Sequence, residues 1–147
     1  MIRTATKDDS ESLYGLMRQL SRYEFTREQF ESCYRYNLEN YHVLVFEQNN
    51  HVCGCGILSI HYLLHFSCKT AEIVEIIVDE NARNRGIGRE LLAALEQIAV
   101  GNGCVRIELD SGKHRMDAHR FYEREGFEST HFKFTKELSS QIKFLEA

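Results

Sequence analysis

The chain has 147 residues, 43% hydrophobic and 27% charged, with a net charge of −4. That length suits one core and excludes two ordinary domains, and the composition excludes a disordered chain. The acidic balance argues against nucleic acid as the partner, so one domain over 1–147 is expected.

No stretch is apolar enough to span a bilayer, and the start, MIRTATKDDSES, lacks the apolar run of a signal peptide. A cytoplasmic protein away from membranes is therefore the expectation. The five cysteines are odd in number and lie mostly in apolar runs, which points to reduced thiols. With no proline, turns must come from Gly, Asn and Asp.

Ile2–Ala5 reads as a short strand. Thr6 and Asp9 form a capping pair before a helix with Leu13, Leu16, Met17 and Leu20 on one face. Thr26 and Gln29 make a capping box for a second helix to about Leu38, with Phe30, Cys33, Tyr34 and Asn37 on one face. Tyr41–Glu47 is a strand, Gln48-Asn49-Asn50 a hairpin turn, and Val52–Leu64 its partner. Gly54 and Gly56 mark a bulge or a close backbone approach. Thr70–Val78 is the next strand. A helix over Gly86–Val100 buries Ile87, Leu91, Leu95, Ile98 and Ala99, and Gly101 and Gly103 end it. Cys104–Asp110 is a strand, Met116–Glu125 a helix closed by Gly126, and Phe127–Thr135 a last strand. Lys136–Ala147 reads as a docked helix.

The stretch Ile73–Leu92 organises the rest. A buried strand ends in a polar turn with Arg83, Arg85, Gly86 and Gly88, then Arg89 opens a helix. The first N–H groups of a helix have no internal partner, and the dipole adds positive charge there. Arginine matches phosphate oxygens in fork geometry. This is an anion-binding device. It is not a nucleotide-triphosphate loop, because no Gly-Lys-Ser/Thr follows, and it lacks the third glycine of a dinucleotide fingerprint.

Arg83-Asn84-Arg85-Gly86-Ile87-Gly88 instead resembles the Q/R-x-x-G-x-G/A signature of the GNAT superfamily of N-acetyltransferases. Ala118-His119-Arg120-Phe121-Tyr122-Glu123-Arg124-Glu125-Gly126-Phe127 resembles that superfamily's A-x-x-F-Y-x-x-x-G-F element. The resemblance implies an α/β (α+β) fold with a mixed, largely antiparallel sheet. That sheet splays between strands 4 and 5, here Thr70–Val78 and Cys104–Asp110, and about four helices flank it. The cosubstrate implied is acetyl-CoA. Its pyrophosphate falls to Arg83, Asn84, Arg85, Gly86, Ile87, Gly88 and Arg89, its pantetheine arm to the Ile76, Ile77 and Val78 backbone, and its sulfur end to His119 and Tyr122. A homodimer is implied by analogy.

Acetyl transfer needs a neutral amine, an oxyanion donor and an acid for the departing thiolate. Glu75 is the candidate base. Strict alternation puts it on one face with Ile73 and Ile77, in apolar surroundings that raise its pKa, with Glu72 on the other face as second choice. The Ile77 N–H is the candidate oxyanion donor. Tyr122 is the candidate acid, since a phenol is protonated at neutral pH. The ordinary readings are a cross-strand ion pair for Glu75 and a half-buried core position for Tyr122.

Asp117–Tyr122, Arg124-Glu125-Gly126, His131–Lys136 and Glu72-Ile73 with Glu75 resemble the aminoalkylphosphonate N-acetyltransferase branch. That resemblance implies direct acetylation of a small amine bearing a phosphonate, in a branch described as using a divalent metal. No metal site is assigned here. His61 and His65 on an extended strand stand roughly 13 Å apart, too far to share an ion. With Arg22 and Arg27 they are candidate acceptor-binding residues. Cys53-Gly54-Cys55 lacks a second ligand pair, and an acyl-cysteine intermediate competes with small buried hydrophobes there. The acceptor stays open between an aminoalkylphosphonate, a polyamine, an amino-sugar antibiotic and a protein amine. A non-catalytic acyl-CoA-binding module is the rival from another class.

Overall fold

The computed structural model describes residues 1–140. The order is β1 (Ile2–Thr4), α1 (Ser10–Leu20), α2 (Arg27–Asn40), β2 (His42–Gln48), β3 (His51–Leu63), β4 (Cys68–Val78), α3 (Ile87–Gly101), β5 (Ile107–Leu109) and α4 (Met116–Arg124). Single 3₁₀ turns at Lys7–Asp9 and Glu80–Ala82 lead into α1 and towards α3. The described strands form one sheet in the order β1-β2-β3-β4-β5. All pairs are antiparallel except β4 with β5, which is parallel.

Local chemistry sets most boundaries. Both capping boxes form: Thr6 with Asp9, and Thr26 with Gln29. Each cap contributes about 1 kcal/mol by satisfying amides that the helix cannot. Asn49 and Asn50 both take positive φ, at 53° and 61°, and close the β2–β3 hairpin in two residues. Gly54 and Gly56 serve close approach. A Cβ on Gly54 would stand 3.0 Å from the Leu91 Cδ1, and one on Gly56 would stand 2.9 Å from the Leu95 Cδ1. Only bare backbone lets α3 lie this near β3.

Two apolar layers follow. α3 covers one sheet face, packing Ile87, Leu91, Leu92 and Leu95 on Leu44, Phe46, Leu58 and Ile73. The other face carries Val43, Val45, Cys55, Ile57 and Ile77 against Leu13 and Leu16 of α1 and Tyr34 of α2. Leu91, Leu92 and Leu95 are fully buried, and each burial stabilises by roughly 1.5–3 kcal/mol. On α2 the buried stripe runs through Phe30, Tyr34 and Leu38, whereas Cys33 is exposed.

Three expectations need correction. Phe127–Thr135 forms no strand, although His131–Thr135 alternates. Its partner edge on β5 is only three residues long, and Phe132 and Phe134 stand 81% and 91% exposed. Lys136–Ser140 is not helical, and residues 141–147 of the expected terminal helix lie outside the described residues. The third correction concerns β4. Ile57 pairs with Glu75, but the next rung pairs Leu58 with Ile73, so Val74 is an extra residue. This bulge reverses the alternation. Ile73 faces α3, Glu75 faces α1 with Ile57 and Ile77, and Glu72, opposite Ser59, falls on the Glu75 face.

Candidate active site

β4 pairs with β5 only over Ala71–Ile73. Beyond that point the two parallel strands part, leaving Ile76–Val78 without a strand on the β5 side among the described residues. The ladder decides which amides face this gap. The Asp79 N–H bonds the Cys53 carbonyl at 2.8 Å. Along an antiparallel pair this orientation recurs every second residue. The Ile77 N–H therefore points at Cys55 on β3, and the N–H groups of Ile76 and Val78 point into the gap. The Ile77 N–H, expected as oxyanion donor, is thus directed at β3 rather than into the gap.

At the end of the gap lies the N-terminus of α3. Asn84 at φ 65° and Gly86 at φ 80° turn the chain from strand to helix. Gly86 is the N-cap and offers no side-chain oxygen. The Glu90 N–H is the first to bond back, to the Gly86 carbonyl at 3.1 Å, so the amides of Ile87, Gly88 and Arg89 have no helical partner. The Arg83 Nε donates to the Val78 carbonyl at 3.3 Å, and Arg89 pairs with Glu125, just after α4, at 3.5 Å. Arg85 is exposed and has no hydrogen-bond or ion-pair partner among the described residues. Gly88 lies under Phe121 of α4 and beside Val78.

A cleft of about 120 Å³ opens beside the bulge, lined by Glu75, Asp110, Arg115 and Tyr122 together with Leu20 of α1 and aliphatic residues of β4 and β5. Burial pushes the Glu75 carboxyl above the usual carboxylate range, and Arg115 and Lys133 pull it part of the way back. Burial also raises the Tyr122 phenol, opposed by Arg115. That phenol has no hydrogen-bond partner among the described residues. Its ring is held edge-on by Phe121 and Phe127, at 5.4 and 5.9 Å between centroids. His119, one turn before Tyr122, donates from Nε2 to the Gly112 carbonyl at 2.8 Å.

The other candidates sit at varying distance from this cleft. Arg22 reaches the His114 Nδ1 at 3.4 Å, linking the loop after Leu20 to the loop before α4. Arg27 is engaged elsewhere, with Glu31 at 3.1 Å and over the Tyr14 ring. His61 lies further along the Glu75 face, 2.9 Å from the Ser59 Oγ and 3.7 Å from Glu72. His65 is on the β3–β4 turn, stacked on Phe66. Among the described residues no three His, Cys, Asp or Glu side chains converge as a metal would require. The His61–Glu72 pair lacks a third ligand among the described residues. Cys55 is fully buried on the Glu75 face, and burial pushes its thiol up to about 12. Burial therefore disfavours a thiolate there. Arg115 and Asp110, which belong to neither sequence motif, are the polar residues that motif reading missed.

The Acetyltransferase (GNAT) family model matches residues 10–127. The aminoalkylphosphonate N-acetyltransferase of Salmonella typhimurium is 37% identical over 139 residues, covering 93% of this chain and 90% of that protein. A transcriptional regulator from Bacillus halodurans C-125 has the same fold, with a TM-score of 0.84 at 26% identity, over 94% of this chain and 99% of that one. So does an aminoglycoside N-acetyltransferase in complex with CoA, with a TM-score of 0.82 at 20% identity over 95% of each chain. No helix among the described residues is long and apolar enough to cross a membrane. A splayed β4–β5 junction capped by uncapped helical amides, on a chain matched by this model over most of its length, belongs to the GNAT family of acetyl-CoA-dependent N-acetyltransferases.

Proposed function

We propose that the chain acetylates the primary amine of a small acceptor bearing an anionic group, such as an aminoalkylphosphonate. The observation that supports this most is the shared cleft: Glu75 and Tyr122 line one small space at the mouth of the β4–β5 gap. The 37% identity to a protein named for that reaction supports the acceptor class.

An alkylamine with a pKa near ~10 arrives mostly protonated. Glu75, with its pKa raised by burial, takes that proton. The neutral nitrogen attacks the thioester carbonyl in a ternary complex. The Ile76 and Val78 amides, which face the gap, stabilise the developing oxyanion. As the C–S bond breaks, Tyr122 donates its proton to the sulfur. The nitrogen sheds its remaining extra proton, which restores the Tyr122 phenol through solvent, and Glu75 releases the first proton to bulk water. The α3 amides with Arg83, Asn84, Arg85 and Arg89 hold the pyrophosphate. Nucleophile and thioester meet directly, and no acyl-enzyme is formed.

The test follows acetyl-CoA loss by chromatography with 2-aminoethylphosphonate and with spermidine, which avoids thiol reagents that five cysteines would confuse. Turnover of the phosphonate is the expected result. Turnover of spermidine alone would remove the anionic acceptor. Tight acetyl-CoA binding without turnover of any amine would favour a non-catalytic acyl-CoA-binding module.

A further inference from the structure

The loop between β5 and α4 places one guanidinium in the cleft without an ion-pair partner among the described residues. Arg115 is half-buried and lines the same space as Glu75 and Tyr122. Its guanidinium has no hydrogen-bond or ion-pair partner among the described residues. The remaining charges around the cleft are accounted for. Asp110 is paired with Lys133 at 3.3 Å. Glu75 forms no ion pair with Arg115 among the described residues, although the two interact electrostatically across the cleft. Arg115 is thus the cleft cation whose fork no carboxylate fills.

A half-buried arginine gives up hydration, and structures normally return it through a carboxylate or phosphate. Here the vacant fork faces the ligand space. The cosubstrate's pyrophosphate has its own donors at the α3 N-terminus, beyond Gly88. We infer that Arg115 is the specificity-determining residue of the acceptor site, receiving the acceptor's anionic group while the amine at the other end meets Glu75. This rests on the acetylation reading above. A fork of planar donors suits a tetrahedral phosphonate or phosphate better than a lone ammonium does, and accepts a carboxylate in the same way. The small cleft, well below the ~300 Å³ of a typical ligand pocket, calls for a short spacer between amine and anion.

The experiment measures kcat and KM for 2-aminoethylphosphonate, β-alanine and the uncharged 3-amino-1-propanol, in wild type, Arg115→Gln and Arg115→Lys. For wild type we expect kcat/KM to fall at least 10²-fold from either anionic amine to the neutral one. Arg115→Gln should abolish that preference by raising KM for the anionic amines about 10²-fold. Its KM for acetyl-CoA should stay within about 3-fold. Its loss in kcat/KM for 3-amino-1-propanol, which carries only the electrostatic effect of Arg115 on Glu75 and Tyr122, should be about 10-fold or more smaller than the loss for the anionic amines. Arg115→Lys should restore part of the preference, because charge returns without the fork. The ratio of phosphonate to β-alanine distinguishes the two anion types. An equal loss on all three amines would overturn the inference and leave Arg115 a general support of the site. Wild-type indifference to the anionic group would overturn it while acetyl transfer stands. Silence with every amine would remove the acetylation reading itself, and this inference with it.

Discussion

Glu75 pairs with Ile57 across the β3–β4 ladder, one rung past the extra residue Val74. That rung turns a carboxylate onto an apolar face with Ile77 and Cys55 and pushes its pKa up. Two measurements follow. Glu75→Gln should lower kcat/KM by about 10²–10⁴-fold, the range of a general base. In wild type the acidic limb of the kcat/KM profile should lie above the ordinary carboxylate range, since the basic form exists only above the raised value.

The same shift has a stability consequence of opposite direction. A carboxyl with a raised folded pKa binds protons better folded than unfolded, so stability falls as pH rises from the ordinary to the raised value. Glu75→Gln removes that loss. Its Tm should exceed wild type at neutral pH, and the difference should vanish below the ordinary carboxylate range. Thermal unfolding across pH reads both ends. A variant less stable than wild type at neutral pH would mean that Glu75 is a structural partner.

Tyr122 has a phenol with no protein partner among the described residues and a ring clasped by Phe121 and Phe127. Tyr122→Phe keeps the clasp and removes only the proton donor. Thermal stability should stay within about 0.5 kcal/mol, because no protein hydrogen bond is lost. The kcat should fall by about 10²–10⁴-fold, with KM for acetyl-CoA little changed. Steady-state kinetics beside an unfolding curve separates the two effects. A stability loss equal to that of a core hydrogen bond would return Tyr122 to a purely structural role.

The two glycines of the α3 turn should behave differently. A Cβ at Gly86 would touch nothing within 4 Å, but its φ of +80° disfavours any L side chain. Gly86→Ala should therefore cost about 1–2 kcal/mol from backbone strain alone. Gly88 has ordinary φ, and a Cβ there would stand 3.6 Å from Phe121 and Val78, at normal contact. Gly88→Ala should cost less than about 0.5 kcal/mol. Urea unfolding gives both values. Titration with acetyl-CoA then shows the effect of Gly86 on affinity, which should fall as the α3 amides lose their alignment.

Much of the frame was legible because its signals are local. The Thr6–Asp9 and Thr26–Gln29 boxes, the Asn49-Asn50 turn and the α3 stripe each depend on residues within one or two turns. The bulge was hidden, because Ile73–Val78 reads equally well as a regular strand until β3 supplies the register. A hint exists in hindsight: Glu72 and Glu75, three apart, share a face only if one residue is extra. Arg115 escaped because it lies in a loop outside both motifs and acquires meaning only beside Glu75 and Tyr122. The segment Phe127–Thr135 was misread because alternation reports what a strand needs, not whether a partner edge is long enough.

Arg3 and Asp9 test the frame away from the chemistry. Two Arg3 nitrogens reach the Asp9 carboxylate at 2.8 and 2.9 Å, and the Thr6 N–H adds a third bond at 2.8 Å. The Asp9 side chain is only 8% exposed, and the Arg3 Nε also holds Glu47 at 2.9 Å. One carboxylate thus ties β1, the start of α1 and, through Arg3, β2. Arg3 holds the Asp9 carboxyl below the ordinary range, so its contribution is present above the unfolded value of ~3.9. It is lost as pH falls through the lowered one. Asp9→Asn should cost about 2 kcal/mol at neutral pH, less than a fully buried pair because Arg3 is partly exposed and keeps Glu47. The gap between wild type and variant in urea should narrow as pH drops below the ordinary carboxylate range. A gap that held constant into strong acid would show that shape, rather than charge, fixes this corner.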